Sequence, residues 1–136
     1  MKKELEFFLI DILKNDSQFS KDELNKIQKE INFHFPSDYI ELMIEYNGGE
    51  GGVGENSWLC LFPIEGLLEI NADYRLLMER IPDYILFGKD AADTGYAFNK
   101  INSSIHSFGL MSDFKTDKIE FCGNTFTEFL KYLYNS

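Results

Sequence analysis

The amino-acid sequence predicts one α+β domain: a mainly antiparallel sheet packed with N-terminal helices and a C-terminal helix. Three observations lead there. Apolar residues recur at helical spacing near both ends of the 136-residue chain, and between them the period shortens to that of extended strands. Helices gathered at the two ends around a run of strands favour an antiparallel sheet over a βαβ array. Aromatic residues make up 15% of the chain, with 13 Phe and 7 Tyr, enough to fill a core and too many for a disordered segment. No linker, repeat or low-complexity stretch divides residues 1–136, so the chain reads as a single domain.

The elements follow in order. Leu5, Phe8, Leu9 and Ile12 predict a first helix from Lys3 to Lys14. Ser20-Lys21-Asp22-Glu23 is a capping-box pattern that starts a second helix burying Leu24, Ile27 and Ile31. After Pro36, a third helix spans Ser37 to Tyr46, with Tyr39, Leu42, Met43 and Tyr46 on one face. Asn47-Gly48-Gly49 ends it, since both residue types tolerate the left-handed C-terminal geometry. Ser57 to Phe62 reads as a strand, and Leu67 to Ile70 as a shorter extended piece before a helix from Ala72 to Arg80. Tyr84–Gly88 and Gly95–Asn99 are strands joined by the tight loop 89–94, and Ile105–Gly109 and Lys118–Phe121 are further strands. A second capping-box pattern, Thr125 with Glu128, opens the last helix over Phe126, Phe129, Leu130 and Leu133.

Met1-Lys2-Lys3 ahead of Phe7–Ile10 has the outline of a signal peptide, but Glu4, Glu6 and Asp11 interrupt it and no small-residue cleavage site follows. No apolar run approaches the roughly 18 residues that span a bilayer. Two cysteines, Cys60 and Cys122, form neither a disulfide framework nor a metal-ligand spacing. A cytoplasmic location is therefore expected, with Cys60 a small buried hydrophobe.

Little in the sequence suggests catalysis. Gly49-Glu50-Gly51-Gly52-Val53-Gly54 matches G-x-G-x-x-G, yet a helix precedes it and a strand follows, the reverse of a dinucleotide site. Glu50 and Glu55 would repel phosphate, and a connecting loop is the expected form. Asp90 and Asp93 lack the pattern of a calcium loop and read as turn-forming aspartates, free to meet a partner as well. His34, between Phe33 and Phe35, reads as structural. His106 has Ser104 and Ser107 nearby but no nucleophile elbow, and its only other candidate partner is Cys122. No catalytic residue, cofactor or metal is expected.

Charge is more informative. The chain carries 13 Lys and Arg against 23 Asp and Glu, a net charge of −10. That sign disfavours nucleic acids and anionic membranes, which require basic surfaces. Residues 1–36 hold 6 cations and 7 acids, and residues 100–136 hold 4 of each. Residues 37–99 hold 3 cations and 12 acids, so −9 of the imbalance lies in the middle of the chain. Such a segment keeps a protein soluble, and it also suits an acidic face that steers a basic partner.

Four motifs occur in order: Phe35-Pro36-Ser37-Asp38-Tyr39 leading to Tyr46-Asn47-Gly48-Gly49; Trp58–Phe62 with Glu69 and Tyr74 downstream; Leu86–Asp90 running into Gly95–Asn99; and the closing Thr125–Leu130. Together they resemble the SUKH superfamily, which includes bacterial immunity proteins and relatives of a fungal cell-wall-assembly regulator. The chain departs from that pattern at Ala91-Ala92-Asp93-Thr94, where the turn is often glycine-rich, and at Asn99, where an aspartate is common. The resemblance implies an α+β scaffold and a non-enzymatic protein that neutralises a cognate toxin by stoichiometric binding. With the acidic charge, it makes a basic, nuclease-type toxin the expected partner. A regulatory adaptor that binds a resident cellular protein is the alternative, and an unrecognised hydrolase or small-ligand protein is a third class. The expected contacts are the acids Glu50, Glu55, Asp73, Asp90 and Asp93. Trp58 serves either as an aromatic anchor or as a core residue.

Overall fold

Short polar segments and glycines set where each element stops, and the computed structural model describes all 136 residues in these terms. Helix α1 covers Lys3–Phe8, shorter than the periodicity predicts, and β1 is the two-residue strand Leu13–Lys14. Leu5, Phe8, Leu9 and Ile12 are all buried as their spacing requires, but Ile12 reaches the core from a turn rather than from the helix. The chain breaks there because Leu13 and Lys14 pair with Glu50 and Gly49. Gly49-to-Gly54 is correspondingly not a loop: Gly49–Val53 forms β2, between β1 and β3 (Ser57–Leu61). Its glycines serve close backbone approach. A Cβ at Gly49 would overlap the carbonyl of Leu13, and one at Gly51 that of Asp11.

Helix α2 (Lys21–Ile31) has the full capping box. The Ser20 hydroxyl accepts the Glu23 amide at 3.1 Å, and the Glu23 carboxylate accepts the Ser20 amide at 2.9 Å. Helix α3 (Ser37–Tyr46) ends at Asn47, whose φ of 44° is left-handed. A 3-10 turn, Ile64–Gly66, leads into α4 (Leu67–Asp73), so Leu67–Ile70 is helical where an extended piece was expected. Asn71 ties this helix to β4: its side-chain amide donates to the Leu67 carbonyl one turn back and to Leu86 O, while its Oδ1 accepts Leu86 N. Tyr74, with φ −98° and ψ 22°, separates α4 from α5 (Arg75–Met78), dividing the predicted Ala72–Arg80 helix.

Strands β4 (Tyr84–Lys89), β5 (Thr94–Asn99), β6 (Ile105–Gly109) and β7 (Glu120–Gly123) complete the sheet, and α6 (Phe126–Tyr134) closes the chain. The seven strands lie in sequence order, each antiparallel to the next. One face carries Leu59, Leu61, Phe87, Tyr96 and Phe98 against α3 and α6; register places Trp58, Cys60, Leu86, Ala97 and His106 on the other, where α4 and α5 pack on β4. The fully buried Tyr39 ring lies within 5.1–5.9 Å of the rings of Phe35, Phe87, Phe98 and Phe126, which ties α3 to the sheet and to α6. No helix is long and apolar enough to cross a membrane.

Candidate functional site

The hairpin register determines which of the expected contact residues meet. Because Cys60 pairs with Lys89, the start of β3 and the end of β4 lie at the same end of the sheet. The β2–β3 turn, with Glu55, and the β4–β5 turn, with Asp90 and Asp93, therefore project from one end. Glu55 and Asp93 are exposed. Asp90 is half-buried, and its Oδ1 accepts the amides of Ala92 at 2.8 Å and Thr94 at 3.0 Å. That is the turn-forming role expected of it. Asp93 contributes its carbonyl to the same end by accepting Leu110 N at 2.6 Å.

Glu50 lies on the α4/α5 side of the sheet, in register with Leu13 on one strand and Cys60 on the other. Two residues along, Trp58 pairs with Gly52. Trp58 is 41% exposed and Leu13 77% exposed, so this corner of the sheet, beyond the cover of α4 and α5, presents an aromatic and an aliphatic side chain to solvent. Trp58 is thus a surface residue and not a core one. Leu13 belongs to the same corner but escapes sequence reasoning, because the periodicity assigns it to a helix. Cys60 is half-buried between Glu50 and Lys89, and burial raises its thiol above the ordinary range.

Asp73, at the end of α4, is set in a cleft shared with Leu110, whose amide donates to the Asp93 carbonyl. Asp73 lines this pocket of about 320 Å³ with Arg75 and Arg80, the only two arginines of the chain. Four other central acids are occupied within the fold. Asp38 accepts the amides of Phe126 and Thr127; Glu41 pairs with the Met1 amino group at 3.0 Å; Glu45 pairs with Lys14 at 3.1 Å; and Glu65 accepts the Asn47 side-chain amide at 2.7 Å. Sequence reasoning counted these as surface charge. Their partners lie 18 or more residues away in the chain, so only the fold distinguishes them from Glu50, Glu55 and Asp93.

The two histidines differ in setting. His106 Nε2 lies 2.7 Å from Ser104 Oγ, and the ring stands edge-on to Tyr84 and Phe121. Burial lowers its pKa. His106 pairs in register with Phe121, so the neighbouring Cys122 points to the opposite face and the two do not meet. His34 is exposed.

The chain matches the family model described as SMI1 / KNR4 family (SUKH-1) over residues 18–132. No curated protein matches it.

Proposed function

The chain belongs to the SMI1/KNR4 family (SUKH-1), whose members often act as immunity proteins and are generally non-catalytic, and from that premise we propose that it neutralises a cognate toxin by stoichiometric binding. The proposed partner is a basic, nuclease-type toxin domain. Such an enzyme grips phosphate with cations, and carboxylates can take the phosphates' place, gaining association rate from steering and register from charge complementarity.

The observation that carries this reading is the convergence of Glu55, Asp90 and Asp93 at one end of the sheet, with Trp58 exposed where β3 leaves the β2–β3 turn and Glu50 further along β2, in register with Cys60. Exposed Trp58 offers an apolar anchor, and the turn carboxylates at the end of the sheet offer charge beyond it, the combination found at energetically dominant contacts. Asp90 is better left intact in any test, because its carboxylate also holds the turn.

Co-expression with the product of the adjacent upstream reading frame tests the reading: if that product is toxic, the protein should rescue growth. A variant carrying Glu50→Lys, Glu55→Lys, Asp93→Lys and Trp58→Ala should keep its circular dichroism spectrum and bind the toxin at least tenfold more weakly, with a flatter salt dependence. Failure of the native protein to rescue growth, together with capture of one resident cellular protein, would favour the adaptor role instead.

A further inference from the structure

A second feature, beside α1 and α6, selects one kind of side chain. Between the end of α1, the β2–β3 turn and the end of α6 lies a pocket of about 290 Å³, the space of about ten waters. Three aromatic rings wall it: Phe7, Phe8 and Tyr134, with centroids 5.4–5.5 Å apart. Phe7 and Tyr134 nevertheless remain 57% and 41% exposed. The only charged residues lining it are Asp11 and Glu55. Neither takes part in an ion pair; the chain's two ion pairs are Met1–Glu41 and Lys14–Glu45. Gly54, at φ +72°, lets the turn pass against the α6 terminus, where a Cβ would come within 2.5 Å of the Tyr134 carbonyl. The pocket thus abuts the C-terminal end of a nine-residue helix, whose carbonyls carry partial negative charge.

Each of these features acts in the same direction. Aromatic faces attract a cation through their quadrupole, the carboxylates do so through their charge, and the helix end through its dipole. No positive group in the pocket opposes them. We infer that this pocket takes one arginine side chain of the protein partner. A planar guanidinium stacks on the rings and offers a fork of donors to the two carboxylates, which a lysine ammonium cannot match. The inference rests on the partner being a basic protein, as proposed above, and gives that partner an anchoring residue.

The experiment uses the full chain, labelled with 15N, titrated with the capped dipeptide acetyl-Gly-Arg-amide at constant ionic strength. The amide signals of Gly52, Gly54, Glu55 and Tyr134 should shift saturably, and acetyl-Gly-norleucine-amide should leave them in place. The variant Asp11→Asn/Glu55→Gln, isosteric at two exposed positions, should retain signal dispersion and lose at least tenfold in apparent affinity. Absent shifts at these four amides, or equal shifts at Glu69, Glu79 and Asp83, would overturn the pocket assignment even if the native protein rescues growth from the toxin. Conversely, saturable binding without growth rescue would leave the pocket standing and remove the toxin as its partner.

Discussion

The Asp38 carboxylate caps a helix that begins 88 residues further along the chain: its Oδ2 accepts the Phe126 amide at 3.1 Å. The Thr127 amide follows at 3.3 Å, while Oδ1 accepts Tyr39 N at 2.9 Å. Thr125 Oγ1 accepts the Glu128 amide, but the Glu128 carboxylate contacts that hydroxyl instead of the Thr125 amide. The expected capping box is therefore half local, and Asp38 supplies acceptors for the first two amides of α6.

Removing that acceptor should be costly. Hydrogen bonds to a charged group contribute about 1.5–3 kcal/mol, and a partly exposed site lies toward the lower end. Asp38→Ala is expected to lower unfolding stability by roughly 2 kcal/mol in urea denaturation. A loss comparable to a neutral surface substitution would show that α6 does not depend on the remote cap.

Tyr39 makes the opposite prediction. Its hydroxyl is fully buried with no hydrogen-bond partner, and burial pushes its pKa far above the ordinary phenol value. An unsatisfied buried hydroxyl costs about 1–3 kcal/mol, whereas the ring itself packs against four aromatic neighbours. Tyr39→Phe should therefore raise stability by about 1 kcal/mol, seen as a higher urea midpoint at unchanged slope. A destabilised variant would mean that the hydroxyl finds a partner after all.

Asn47 separates two contributions at one position. Its backbone is left-handed, its Oδ1 accepts the buried Ile64 amide at 2.9 Å, and its Nδ2 donates to Ser17 and Glu65. Asn47→Ala loses both the side-chain bonds and the conformational tolerance, for about 3 kcal/mol in total. Asn47→Gly keeps the tolerance and should be less damaging by about 1 kcal/mol. Equal losses in thermal unfolding of the two variants would assign the whole effect to the hydrogen bonds.

His106 gives the pH dependence its sign. Burial lowers its pKa in the folded state below the ordinary 6.5, so the unfolded chain binds the proton more readily. Its contribution is complete above about pH 6.5 and is lost as pH falls through the folded pKa. In urea titrations between pH 5 and 8, the native protein should lose more stability on acidification than His106→Gln. The difference between the two isolates this group. Parallel pH profiles would rule the histidine out as a contributor.

Much of the scaffold is legible in the residues themselves. Ser20 with Glu23, Asn47 with its glycines, and the apolar spacing of α2, α3 and α6 each encode an element through contacts within a few residues. The Leu67–Ile70 helix and the β1–β2 pairing were not legible for the converse reason. Asn71 stabilises the helix end partly through Leu86, and Gly49 and Gly51 make sense only beside Leu13 and Asp11. Neither relation appears in any local window.

The same division holds for the surface. Sequence alone determined the α+β class, the family resemblance and the concentration of acid in residues 37–99, because composition, periodicity and short-range caps are properties of the chain. Tertiary structure decided which of those acids remain available. Asp38, Glu41, Glu45 and Glu65 are held by remote partners, Asp73 lies with the two arginines, and Glu55, Asp90 and Asp93 share one end of the sheet. It also put Trp58 and Leu13 at the surface and assembled an aromatic, acidic pocket from Phe7, Asp11, Glu55 and Tyr134. Charge is a sum over residues, whereas a binding surface depends on distance, and only strand register and helix packing set those distances.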